Sequence, residues 1–247
     1  MSESRRARRR GACLVAVVVV AGAIAAAAGA MLGADEPGSA AERAADVPRT
    51  ALADAERSRT RRDERDPPDP RIEWRESRAV GLPHAGTLEG GVKLPFGGPN
   101  YFTWDPIQKE SPNRGWRRWG TDGLVRTTLR VVREFAAAHP RAPRIGIGDL
   151  SRPRGGDFGP RYGLPGHASH QSGLDADLYY PRLDRRERAP LGAGQIDREL
   201  SQDLVDRFVG AGAETVFVGP STGLGGPPGV VVPLVNHDNH LHVRMPG

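Results

Sequence analysis

The alternation of apolar and polar positions divides the chain into three stretches. Residues 12–34 are almost wholly Ala, Val, Gly and Leu and carry no charge. That is long enough to span a bilayer, which takes about 20 residues. Residues 35–79 reverse the pattern, with Arg, Asp, Glu, Ala and Pro and few large apolar side chains. Such a segment buries too little surface to offset its ordering entropy and reads as a disordered linker. From residue 80 onward, apolar positions recur with regular periods, so residues 80–247 are expected to form the folded domain.

Within that domain, Leu124, Val125, Thr128, Leu129, Val132, Phe135 and Ala136 recur at three and four residues. They predict a helix that opens at Thr121 or Asp122 and stops at His139-Pro140. Leu200, Leu204 and Phe208 predict a second helix over residues 197–209, closed by Gly210. Strict alternation predicts strands over residues 144–150, 174–180, 215–218 and 240–245, and the Gly/Pro/Arg-rich residues 151–165 and the glycine-rich residues 219–229 read as loops. The expected class is α+β, a small antiparallel sheet with flanking helices.

Charge and cysteine content narrow the function. Arg5, Arg6, Arg8, Arg9 and Arg10 set against Glu3 supply +4 of the formal +5, so the remainder is near neutral and no nucleic-acid partner is expected. The arginines precede the apolar run, which holds that end in the cytoplasm and delivers the rest outside. Residues 1–34 are therefore a signal peptide or an N-terminal membrane anchor, and the product is exported, periplasmic or otherwise extracytoplasmic. Ala26-Ala27-Ala28 and Ala28-Gly29-Ala30 both fit a peptidase site, while the length of the run favours a retained anchor. Contact with the membrane is expected through this segment alone. Cys13 is the only cysteine, so the domain can hold neither a disulfide nor a thiolate-bound zinc.

Five of the seven histidines fall in two strings, residues 166–177 and 236–244. In the first, Asp175 and Asp177 share one face of a predicted strand. In the second, His240, His242 and Arg244 share a face opposite Leu241, Val243 and Met245. If the strands are neighbours, His170, Asp177 and His242 converge on one metal ion, and three such ligands leave a position for water, as in catalytic zinc sites. His240 and His237 are candidates for the proton acceptor beside that water. Asp175 either orients a ligand or is structural, and Arg152, Arg154 and Arg244 are candidates for holding an oxyanion or a substrate carboxylate. His84 and His139 read as ordinary histidines. Ser169 and Ser172 lack a G-x-S-x-G elbow, and no H-E-x-x-H occurs, so neither a serine hydrolase nor an ordinary zincin is indicated.

His167-x-x-His170 with Asp177, followed by His237-x-x-His240-x-His242-Val243-Arg244, resembles the penicillin-insensitive murein endopeptidases. The resemblance extends to Leu94-Pro95, Tyr101-Phe102-Thr103-Trp104, Arg117-Arg118-Trp119-Gly120, Gly148-Asp149, Gly155-Gly156 and Val216-Phe217-Val218. It implies the fold shared by D-Ala-D-Ala peptidases and the hedgehog domain, with Zn2+ as cofactor. His170, Asp177 and His242 correspond to the zinc ligands, His240 to the active-site histidine, and His167 and His237 to further site histidines. The implied reaction is hydrolysis of D-Ala–diaminopimelate cross-links, with peptidoglycan stem peptides as partners. A zinc D,D-carboxypeptidase and a non-catalytic zinc-containing wall-binding module stay open as alternatives, and the sequence leaves the oligomeric state undetermined. The family's cysteines are absent here, which bears on how loops are stapled and leaves the metal site untouched.

Overall fold

The computed structural model describes residues 69–159 and 169–247. The anchor or signal segment, most of the linker and His167 lie outside the described residues. Among the described residues no helix is long and apolar enough to cross a membrane.

The chain begins with a hairpin of β1 (Arg78–Leu82) and β2 (Ala85–Glu89), followed by β3 (Val92–Lys93), β4 (Tyr101–Thr103) and β5 (Trp119–Gly120). Next come helix α1 (Asp122–Ala138), β6 (Ile145–Ile147), β7 (Asp175–Tyr179), helix α2 (Arg198–Gly210), β8 (Thr215–Val218), β9 (Val231–Pro233) and β10 (His240–Arg244). Six strands form one sheet in the order β4-β6-β7-β10-β8-β9, and β3 pairs with β5 in a separate ladder. The class is α+β as expected, but the sheet is larger than expected and mixed. Its centre, β6-β7-β10-β8, is antiparallel, whereas β4 runs parallel to β6 and β9 parallel to β8. These parallel edge strands are three residues long, too short to show a period.

Both helices start on side-chain caps, the first on Thr121, one of its two candidates, and the second on Asp197, the first residue of the expected helix. The Thr121 side chain accepts from the Leu124 N–H at 3.1 Å, and Asp197 accepts from the Leu200 N–H at 3.2 Å. Each satisfies a first-turn donor that would otherwise lack a partner. The apolar faces of the helices, Leu124, Val125, Val131, Val132 and Phe135 on α1 and Leu204, Val205 and Phe208 on α2, enter one core cluster. The sheet contributes Ile145, Ile147, Ala176, Leu178, Val216, Val218, Leu241 and Val243 to the same core. Since side chains alternate along a strand, Asp175, Asp177, Tyr179, Phe217, His240, His242 and Arg244 are left on the opposite face. One face of the sheet is thus covered by helices, and the other gathers the polar side chains.

Two expected boundaries move. Ile72, placed in the linker, is 6% exposed and belongs to the core, with Trp74 packed beside it under the Arg126 guanidinium, 4.0 Å from the ring centroid. The folded unit therefore starts before residue 80. Two apolar residues in a charged stretch are too few for composition to register, and they find their surface on α1. The strand expected over residues 144–150 ends at Ile147, and beyond it Gly148 and Asp149 both bond to the backbone of Asp177, which breaks the regular register.

Candidate metal centre

Register brings two of the candidate ligands together. In the antiparallel pairing of β7 with β10, His242 lies opposite Asp177, Arg244 opposite Asp175 and His240 opposite Tyr179. Directly opposed residues stand about 4.5–5.5 Å apart at Cβ, so the condition set by the sequence, neighbouring strands, is met.

His170 arrives from a loop in a left-handed conformation, φ +69°. That backbone is uncommon for a residue with a Cβ and persists only where its surroundings over-determine it. Here the surroundings do so. The His170 N–H donates to Asp175 Oδ2 at 3.1 Å, and the Gln171 N–H donates to the Pro83 carbonyl of the β1–β2 turn at 2.9 Å. On the other side, the Gly156 N–H donates to the Gln171 carbonyl at 2.9 Å, and a Cβ at Gly155 (φ +68°) would sit 2.0 Å from that same oxygen. Only glycine allows this approach.

The imidazole of His170 is fully buried, and its Nδ1–H donates to the Leu150 carbonyl at 2.6 Å. That bond fixes the tautomer and leaves the Nε2 lone pair directed at Asp177 Oδ1, 3.3 Å away. His242 is held by its other nitrogen, with Nε2 at 2.9 Å from Asp175 Oδ1 and Nδ1 at 3.2 Å from Asp177 Oδ1. One ligand-type atom from each of His170, Asp177 and His242 lies within 4.8 Å of the others, and all three residues are buried. Each imidazole thus has a hydrogen-bonded outer nitrogen and an inner nitrogen turned to the shared point, which is how metal-binding histidines are oriented. The donor set, two nitrogens and one carboxylate oxygen, suits zinc.

The charges are closely balanced. Burial alone would raise the Asp175 carboxyl, but the hydrogen bond from His242 and the charges of His170, His242 and Arg244 outweigh it and hold the group at about 2. Asp177 is likewise held well below the usual carboxylate range by the neighbouring histidines despite its burial. Burial pulls His242 down, yet Asp175 and Asp177 together hold it up at about 9. Arg244, a candidate for oxyanion binding, donates its Nε to Asp175 Oδ1 at 2.8 Å and braces that carboxylate. Arg152 donates Nη1 to the Asp157 carbonyl at 2.6 Å, within its own loop.

Two further histidines line the cluster. The His240 Nδ1–H donates to Asn239 Oδ1 at 2.7 Å, and its Nε2 stands 3.7 Å from Asp177 Oδ1. The His237 Nδ1–H donates to the Val235 carbonyl at 2.8 Å, and its ring stacks on that of His240 with centroids 4.7 Å apart. Burial pushes the His237 imidazole below its ordinary value, so it is neutral at pH 7. Phe217 closes this side, 5.4 Å from His242 and 6.1 Å from His237 between centroids.

Beneath the cluster lies a support to which the sequence reading gave no role. The Asp177 N–H donates to the Asp149 carbonyl at 2.9 Å, and the Asp149 carboxylate pairs with buried Arg117, whose Nε approaches Oδ1 at 2.6 Å. Asn113 adds a bond to the same oxygen at 2.9 Å. The only sequence signal was Arg117 among aromatic neighbours, and it now lies over the rings of Trp116 and Phe158, 4.8 and 5.2 Å from their centroids.

An α+β domain with a buried cluster of two histidines and one aspartate, flanked by two further histidines, offers the ligand set of a candidate metal site. The family model for penicillin-insensitive murein endopeptidases matches residues 79–209, just over half of the chain, and the chain belongs to that family. The matched stretch takes in His170, Asp175 and Asp177 and ends before His237, His240 and His242. Among curated relatives, the penicillin-insensitive murein endopeptidase of Salmonella paratyphi C is 30% identical over 131 residues, 53% of this chain and 41% of the relative. The protein of that name from Haemophilus influenzae is 35% identical over 94 residues, 38% of this chain and 28% of the relative. These alignments span less than half of the relatives' length.

Proposed function

We propose that the chain is a zinc-dependent peptidoglycan endopeptidase acting outside the cytoplasm, where its substrate lies, with His170, Asp177 and His242 holding the metal. The observation that carries this reading is the convergence of their ligand atoms within 4.8 Å, with the outer nitrogen of each histidine hydrogen-bonded. Family membership supports the murein substrate and the fold shared with D-Ala-D-Ala peptidases and the hedgehog domain. The bond cleaved is the D-Ala–diaminopimelate cross-link.

When bound, zinc supplies a Lewis acid that polarises the scissile carbonyl and acidifies the attacking water. The protein supplies the rest. His240, whose Nδ1–H is committed to Asn239, offers its Nε2 lone pair at the cluster as acceptor of the water proton and later returns that proton to the leaving amine. His237 stacks on His240 and limits its rotation, and His167 is a further site histidine by the family resemblance. Asp175 orients His242, and Arg244 keeps Asp175 ionised. Arg152 binds a substrate carboxylate at the mouth of the site. Residues 1–34 deliver the domain to the wall as a signal or an anchor.

The test is digestion of purified cross-linked peptidoglycan by the full chain, wild type beside His170→Ala, with chelator and after zinc is restored, with products read by mass spectrometry. Dimeric muropeptides falling to monomers, only with metal and only in the wild type, is the expected result. Loss of terminal D-alanine with dimers intact would make the enzyme a carboxypeptidase. Absence of any product from the folded, zinc-loaded chain would leave a wall-binding module.

A further inference from the structure

Two adjacent arginines are both buried, but only one has a counterion. Arg117 is paired with Asp149. Arg118, 8% exposed, meets carbonyls instead, donating Nε to Asn113 at 3.1 Å and Nη1 to Leu94. Among the described residues no carboxylate pairs with it, and burial pulls its guanidinium below the ordinary arginine value. A buried charge left this way is costly, and the structure sets a second cation beside it. A point 3.2 Å from Lys93 Nζ and 3.6 Å from Arg118 Nη2 lies where Gly115 would carry its Cβ. Both cations therefore come together beside Gly115, where a Cβ would touch the end of the Lys93 side chain.

Lys93 and Arg118 both line a cleft of about 440 Å³. Leu94, Pro95 and Phe96 give it an apolar side, and the Trp119 ring lies 5.7 Å from Lys93 Nζ. The other charges lining it are already matched, Arg71 by Asp69 and Arg75 by Glu73. None of the lining residues belongs to the histidine cluster.

We propose that this cleft is a binding site for a peptide carboxylate. The planar guanidinium of Arg118 and the ammonium of Lys93 hold the two oxygens, and the apolar side takes the adjoining stem. The volume is that of a site for an organic molecule of a few residues and exceeds the needs of a lone ion. The segment that builds the cleft, Arg118-Trp119 with Leu94-Pro95, has no part in the proposed hydrolysis, so the inference stands independently of it.

The experiment follows the indole N–H of Trp119, which donates to the Gly115 carbonyl at 2.9 Å, in ¹⁵N-correlated NMR spectra of the full chain. The probes are acetyl-alanyl-leucine, its C-terminal amide and inorganic phosphate. The free acid is expected to shift the resonance saturably, with the amide bound at least about tenfold more weakly, as loss of a charge-assisted pair implies. Arg118→Gln should weaken the acid by a similar factor. Lys93→Gln, at an exposed position, should weaken it several-fold and carries the test alone if Arg118→Gln fails to fold. No saturable shift, equal binding of acid and amide, or indifference to Lys93→Gln would overturn the proposal. Binding of phosphate without the peptide acid would overturn its ligand class.

Discussion

The histidine cluster and the Arg118 cleft share one short segment, residues 117–119, and differ in how they treat charge. On the cluster side, the Arg117 carbonyl accepts from Leu150, the residue whose own carbonyl orients His170, and the Arg117 side chain neutralises Asp149 beneath Asp177. Every charge there meets an opposite one within the protein. On the cleft side, Arg118 and Lys93 share a space with no carboxylate between them. The first arrangement pre-organises ligand atoms at the expense of burying ions in pairs, while the second leaves a charge to be completed from outside. Neighbouring residues of one type thus serve opposite ends, Arg117 closing a short helical turn and Arg118 leading from it into β5.

The comparison can be broken most forcefully at the ligands. Asp177→Ala or His170→Ala should abolish stoichiometric zinc after dialysis, read by elemental analysis. Muropeptide release should then fall at least as far as the ~10²–10⁴-fold that loss of a proton acceptor costs. His240→Ala should cause a loss in that range while zinc content stays at one per chain, and loss of zinc as well would make His240 a ligand. Next come the two arginines. Arg117→Met leaves a buried carboxylate without its guanidinium and should cost about 3–5 kcal/mol in urea unfolding. Arg118→Met removes a charge that only carbonyls meet and should cost no more than about 1–2 kcal/mol. Equal costs would erase the contrast between the two sides. Asp175→Asn keeps the shape but weakens the hold on His242 and should reduce zinc affinity about 10- to 100-fold, measured by competition with a chromogenic chelator.

Much of the site could be read from period-two alternation. Asp175 and Asp177 fall on one face of β7, and His240, His242 and Arg244 on one face of β10, because side-chain direction in a strand is set by residue parity alone. The same reading placed both helices and offered Thr121 as one of two caps for the first, since capping depends on residues three positions apart. The edge strands β4 and β9 escaped it, being three residues long, too short to show a period. Ile72 and Trp74 escaped it because their burial depends on α1, about fifty residues later. The support of Asp177 by Asp149 and Arg117 also stayed hidden, as no local pattern links residues 117, 149 and 177.

Sequence by itself determined which side chains are offered and to which face, because helix and strand periods and cap chemistry act over a few residues. It determined the cysteine-free choice of nitrogen and oxygen ligands as well. Only the tertiary structure decided that β7 and β10 are neighbours in the register that sets His242 against Asp177. It also decided that His170 closes the triad in a left-handed turn braced by the β1–β2 hairpin, and that Arg117 finds a counterion while Arg118 does not. Those outcomes rest on loop closures across tens of residues, in which the free energy comes from contacts between segments that carry no record of one another in their own local pattern.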